Sequence, residues 1–98
     1  MSIARHYTMQ AAEGQADKLL TALGDLVAAL QPIAGYQGAD LMRDVGQPGR
    51  FVFIEKWSSV DAHKAGGSQL PKTVLSGLMG TLASPPEGAY LEYLKVGG

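Results

Sequence analysis

The sequence contains no cysteine. That excludes disulfides, thiolate nucleophiles and cysteine metal sites, and it suits a reducing cytoplasm. Charge of one sign is also missing: 8 basic residues against 9 acidic ones leave a net charge of -1. Such a balance gives no electrostatic footprint for nucleic acid or an anionic membrane. No apolar run approaches the ~20 residues of a membrane span. The N-terminus lacks a charged-then-apolar signal pattern, so a soluble, unprocessed chain is expected. Histidine is scarce, with 2 in all, and tryptophan occurs once. Neither His6 nor His63 sits in a tight cluster with Asp or Glu, so no metal site is expected. No glycine-rich phosphate motif follows a strand, and no internal repeat or low-complexity tract is visible.

What is present is a chain of 98 residues, 46% hydrophobic and 17% charged, the profile of one compact domain spanning 1–98. A chain this short buries roughly 65% of its unfolded surface, so a second copy would add to a modest core. Its organising stretch is Phe51-Val52-Phe53-Ile54-Glu55-Lys56-Trp57. Gly46-Gln47-Pro48-Gly49 marks a turn before it, and Ser58-Ser59-Val60-Asp61 marks a helix start after it. Aromatic and β-branched residues between such punctuation predict a strand, and the nearly continuous apolar run predicts cover on both faces. Strand alternation puts Phe51, Phe53, Glu55 and Trp57 on one side and Val52, Ile54 and Lys56 on the other. The first set is either a core face with a polar end or the wall of a pocket.

Around this stretch the chain is read in order. Ile3 to Gln10 is predicted as a first strand, with Arg5, Tyr7 and Met9 on one face and His6 and Thr8 on the other. From about Glu13 to Leu30 a helix is predicted, because Leu19, Leu23, Leu26, Val27 and Leu30 form one stripe and Pro32 stops it. Tyr36 to Val45 is a second strand of edge character. After Trp57 comes a short helix ended by Gly66-Gly67. A further helix follows, with Pro71 in its first turn and apolar residues from Leu70 to Met79 at helical spacing. Ala89 to Val96 is predicted as the last strand. The order β-α-β-β-α-β, with the second helix in two pieces, predicts an α+β, ferredoxin-like four-stranded antiparallel sheet with helices on one face. The other face carries Val52, Ile54 and part of the last strand. Uncovered, it would be a large apolar patch, so a homodimer packed sheet to sheet and closing towards a barrel is expected.

This order, length and central strand resemble the antibiotic biosynthesis monooxygenase family of dimeric α+β barrel proteins. The likeness rests chiefly on Phe51 to His63, a strand ending Glu-x-Trp before a short helix containing Asp61-Ala62-His63. Ala11-Ala12-Glu13-Gly14 and Gly35-Tyr36-Gln37-Gly38 add to it. The resemblance implies a small pocket in each subunit. It also implies, in some members, oxygenation of quinols, anthrones or related polyphenols by dioxygen with no bound cofactor. One branch degrades heme, using a first-strand asparagine, a tryptophan and a heme-ligating histidine. Trp57 matches that tryptophan, but the first strand offers Tyr7, and Gly66-Gly67-Ser68-Gln69 holds no histidine. Both departures speak against heme degradation.

Cofactor-free oxygenation requires a base, a dry cavity and groups that hold an oxyanion. His63 is the candidate base, since an unperturbed imidazole is largely neutral at pH 7. A buried histidine bonded to a backbone carbonyl, or a helix residue packing near Trp57, is its structural alternative. Trp57 is a candidate for stacking on a flat substrate, or a core residue at a strand end. Tyr7 is a candidate hydrogen-bond donor. Arg5, Phe53 and Glu55 are candidate substrate contacts, with an Arg5–Glu55 ion pair across adjacent strands as the simpler role for the two charges. Two readings of other classes stand beside this one. A non-catalytic dimeric binding protein needs only the pocket. An RNA-binding module shares the strand order, but Gly49 to Lys56 matches its aromatic strand signature at Phe51, Phe53 and Ile54 only.

Overall fold

The computed structural model describes residues 2–97. Strands β1 (Ile3–Gln10), β2 (Tyr36–Arg43), β3 (Arg50–Trp57) and β4 (Glu87–Glu92) form one antiparallel sheet in the order β2-β3-β1-β4. Helices α1 (Ala16–Leu30), α2 (Val60–Gly67) and α3 (Lys72–Met79) complete a ferredoxin-like α+β fold. Among the described residues, no helix is long and apolar enough to cross a membrane.

The alternation read from β3 sorts the sheet into two sides. Phe51, Phe53, Glu55 and Trp57 are all buried, at 1%, 0%, 3% and 1% exposure. Across the ladder, β1 sets Met9 opposite Phe51, Tyr7 opposite Phe53 and Arg5 opposite Glu55. Directly opposed residues share a face. This face receives the helices: Leu19, Leu23, Leu26 and Leu30 of α1 and Leu78 of α3 join Met9, Phe51, Phe53 and Trp57 in one core. Each large side chain so buried contributes about 1.5–3 kcal/mol. The opposite face carries Val52 and Ile54, both half-buried, with Met42 and Leu91 exposed. Among the described residues, the helices pack on the other face.

Several boundaries differ from the sequence reading, each for a local reason. Helix α1 begins at Ala16 rather than near Glu13, because the chain first turns at Gly14 (φ +74°), with the Gln15 amide donating to the Ala12 carbonyl. Strand β2 ends at Arg43 rather than Val45. The Asp44 carboxylate accepts from the Gly46 and Gln47 amides at 2.8 and 3.2 Å and pairs with Arg50 at 3.3 Å, which closes the hairpin early. Pro71 lies just outside α3, as its N-cap, not in its first turn. Strand β4 runs Glu87–Glu92, not Ala89–Val96. Its partner β1 starts at Ile3, and the ladder between them ends at the Ile3–Glu92 pair.

The link from α1 to β2 is drawn tightly against α2. Gly35 has φ +88°, and the position of a Cβ there is already taken by the Ala62 methyl at 2.6 Å and Ser58 Oγ at 2.9 Å. Its carbonyl accepts from the Ser58 amide at 2.8 Å. Ser59 caps α2 by accepting from the Ala62 amide at 3.0 Å. Together these contacts fix α2 at the end of β3 and aim His63 back over Trp57.

Candidate active site

A cavity of about 250 Å³ lies between the sheet and the helices. Leu26 and Leu30 of α1, Leu70, and Leu75, Leu78 and Met79 of α3 make it apolar. The sheet and α2 supply its polar wall, with Tyr7, Glu55, Trp57 and His63. The alternation of β1 and β3 aims the first three inward. Helix α2 adds the fourth.

Trp57 is the anchor. Its Nε1 donates to Glu55 Oε1 at 2.9 Å. The rings of Tyr36 and His63 meet its indole edge-on, with centroids 5.5 and 5.4 Å away. Gly66 of α2 lies against the far side of the indole, where a Cβ would stand 2.7 Å from Cη2. The ring is therefore clamped from several sides, and part of it still borders the cavity.

The His63 imidazole is held at both nitrogens. Nε2 is 3.0 Å from the Tyr7 hydroxyl and Nδ1 is 2.7 Å from the Tyr90 hydroxyl. Neither partner is a backbone carbonyl, while the ring does pack edge-on against Trp57, as the other structural alternative has it. Glu55 Oε1 lies 3.7 Å from Nε2. Burial pushes the Glu55 carboxyl up from 4.5, against the Trp57 hydrogen bond and the Arg5 charge, which act to lower it. Burial pushes His63 the other way, below 6.5, and the charges of Arg5 and Lys64 add to that. Both groups lean to their neutral forms. Burial also raises Tyr7 above 10.0, an effect opposed by Arg5 and reinforced by Glu55.

Arg5 and Phe53 are placed differently from the other sequence candidates. Arg5 stands opposite Glu55 in the ladder, yet the two form no ion pair. The guanidinium instead lies over the Tyr90 ring at 4.2 Å and the Tyr7 ring at 4.9 Å. Gly88 makes this possible, since a Cβ there would collide with the guanidinium. Arg5 Nε is buried without a hydrogen-bond partner. Neither Arg5 nor Phe53 is on the cavity wall. Phe53 is wholly buried in the core, behind the cavity. Tyr90 is the site residue that sequence reading missed; its one signal is the alternation of β4, which sets it opposite Arg5. Among the described residues, no group of three or more His, Cys, Asp or Glu side chains is placed to hold a metal ion.

The chain is thus a ferredoxin-like α+β domain with an apolar cavity under its helices, bordered by the His63 imidazole. Residues 2–65 match the sequence model of the antibiotic biosynthesis monooxygenase family, and the chain belongs to that family. Solved structures agree on the fold. A protein of the same description from Bordetella bronchiseptica is 17% identical with a TM-score of 0.86, over 96% of this chain and 98% of that one. SnoaB, a cofactor-independent oxygenase from Streptomyces nogalater, is 13% identical with a TM-score of 0.83, over 97% of this chain and 95% of its own. A Pseudomonas aeruginosa protein is 26% identical with a TM-score of 0.79, over 96% and 95%. No curated protein sequence matches the chain.

Proposed function

We propose that this protein is a cofactor-independent monooxygenase that oxidises a small, flat quinol- or anthrone-like substrate with dioxygen. The observation that carries the proposal is a neutral imidazole, His63, on the wall of an apolar cavity with the Tyr7 hydroxyl on its Nε2. The description of SnoaB as a cofactor-independent oxygenase of the same fold supports it. A cavity of about 250 Å³ suits a compact ligand, being just under the roughly 300 Å³ at which drug-sized pockets begin.

In this reading His63 is the base, reached through the Tyr7 hydroxyl, and removes a proton from the substrate. The apolar walls keep water from the resulting carbanion or phenolate. Trp57 offers an aromatic surface against the substrate ring. The delocalised anion then transfers electrons to dioxygen without help from a cofactor. For an anthrone, the ring CH₂ becomes a carbonyl. One oxygen atom enters the substrate and the other leaves as water with the two hydrogens. Substrate loses four electrons and dioxygen gains four. Arg5 and Phe53 act from outside the cavity wall, Arg5 by fixing tyrosine rings and Phe53 by backing Tyr7.

We further propose a homodimer that buries the helix-free face of the sheet, and a cytoplasmic location in keeping with the absence of cysteine. One observation favours a second reading, a non-catalytic binder of the same small aromatics: both His63 nitrogens already have tyrosine partners. Oxygen uptake on a panel of quinols and anthrones separates the two. The enzyme reading expects turnover that falls about 10²-fold or more in His63→Ala. Tight binding with no turnover by the wild type would assign the binder instead.

A further inference from the structure

Tyr90 has no part in the cavity wall, yet it makes the shortest hydrogen bond to the imidazole. Its hydroxyl is 2.7 Å from Nδ1, and the residue is 36% exposed. On the other side of the ring, Tyr7 lines the cavity and its hydroxyl is 3.0 Å from Nε2. The three groups form an unbroken hydrogen-bonded file from the cavity to the surface. Arg5 holds its outer end, with the guanidinium over the Tyr90 ring in the space left by Gly88. Arg5, Glu55 and Lys64 are the charged or acidic groups that face the ring, and none of them hydrogen-bonds to Nδ1.

The file has a direction. A buried hydroxyl that donates to nothing loses a hydrogen bond it made in water. The hydrogen-bond partner of the part-buried Tyr7 hydroxyl among the described residues is His63 Nε2, and we assign the hydroxyl as donor to it. Nε2 then carries the lone pair, and the proton sits on Nδ1. In that assignment the Tyr90 hydroxyl accepts from Nδ1–H, and its own hydrogen is left free for solvent. This leaves the basic nitrogen towards the cavity and the proton-bearing nitrogen towards solvent.

We infer that Tyr90 is a positioning residue that holds His63 as the Nδ1–H tautomer and passes the substrate's proton out to water. The inference rests on the monooxygenase reading for its chemical purpose. A substrate proton goes to the Tyr7 oxygen as the Tyr7 proton moves to Nε2. The Nδ1 proton moves to the Tyr90 oxygen, and the Tyr90 hydroxyl proton leaves to water. One proton crosses from substrate to solvent, and all three side chains end neutral. Rotation of the hydroxyls and a tautomer exchange reset the file before the next turnover.

Two measurements test this separately from the function. Nitrogen-15 NMR of the ligand-free wild type reads the tautomer directly. The expected result is the Nδ1–H form, shifting towards Nε2–H in Tyr90→Phe, which keeps the ring over Arg5. A wild type in the Nε2–H form, or a tautomer unmoved by the substitution, overturns the inference whether or not the protein is an enzyme. In oxygen uptake, Tyr90→Phe is expected to lower kcat about tenfold, leave KM unchanged and recover when imidazole is added as an outside proton acceptor. An unchanged kcat, or a loss that imidazole does not relieve, overturns the release role. If no quinol or anthrone is turned over by the wild type, the proposed function fails and the tautomer alone decides.

Discussion

Trp57 and Glu55, two residues apart on β3, are bonded to each other at the floor of the site. The indole Nε1 donates to Glu55 Oε1 at 2.9 Å, and the side chains are 1% and 3% exposed. Removing the acceptor leaves a buried N–H unpaired. Glu55→Ala is therefore expected to destabilise the fold by about 1–3 kcal/mol, read by urea unfolding. Glu55→Gln retains an oxygen acceptor and is expected to recover most of that loss.

The same pair gives a pH dependence with a definite sign. Burial raises the folded-state Glu55 above its ordinary 4.5, so the folded protein holds that proton more tightly than the unfolded chain. The stability tied to it is complete below about 4.5 and is lost as pH rises through the raised value. Unfolding free energy of the wild type, relative to Glu55→Gln, is expected to fall with rising pH upward from 4.5. Parallel curves for the two proteins would rule this out.

His63 has the opposite sign. Its folded-state value is below 6.5, chiefly from burial, so its neutral form is favoured in the fold. Stability from this source is present above 6.5 and is lost as pH falls through the lowered value. An NMR titration of the His63 ring is expected to give a midpoint below 6.5, and the acid limb of kcat/KM should follow that midpoint. A midpoint above 6.5 would overturn this and point to pairing of the imidazolium with Glu55, 3.7 Å away. Because the Glu55 and His63 slopes oppose each other, the wild-type curve alone resolves neither, and each needs its own variant.

Two helix glycines with the same intrinsic cost have different surroundings. Gly24 lies inside α1 with nothing within 4 Å of a built Cβ. Gly24→Ala is expected to stabilise by about 0.5–1 kcal/mol. At Gly66 in α2 a Cβ would stand 2.7 Å from Trp57 Cη2 and 2.9 Å from Ile33 Cγ2. Overpacking there costs about 1–3 kcal/mol, enough to outweigh the helix gain. Gly66→Ala is expected to lower the unfolding midpoint and to alter the near-ultraviolet signal of Trp57. A variant as stable as Gly24→Ala would show that the indole has room to move.

These contrasts also explain what could be read from the chain. Strand β3 and helix α1 were legible because each carries its burial pattern within itself: Phe51, Phe53 and Trp57 at period 2, and Leu19, Leu23, Leu26 and Leu30 at helical spacing. The length of β4 was not legible. Tyr93, Leu94 and Val96 continue the strand-forming composition past Glu92, whereas the ladder with β1 ends at the Ile3–Glu92 pair. His63, Trp57, Tyr7 and Glu55 could be gathered at one site from strand parity and a short helix. The Arg5–Glu55 register was implied by the same parity, and no ion pair followed from it, because the guanidinium takes the gap at Gly88. That gap, and the partnership of Tyr90 with His63, depend on which strand lies beside β1. No residue of β4 states that on its own.

The helix-free face of the sheet supports a last prediction. Leu91 is 47% exposed there, opposite Ala4 of β1, with Ile54 and Val52 on β3 beyond it. Leu20 is 42% exposed on α1, on the far side of the molecule. In a lone subunit, a charge at either position meets water and changes stability by about 0.5 kcal/mol or less. In a two-fold dimer packed through this face, a charge at Leu91 enters the interface twice and is buried unpaired. Such a charge weakens association by about 2–5 kcal/mol. Sedimentation velocity is expected to give a dimer for the wild type and for Leu20→Glu, and a monomer for Leu91→Glu at the same concentration. A monomeric wild type would refute the dimer outright. A dimer that tolerates Leu91→Glu but is lost in Leu20→Glu would move the interface to the helical layer.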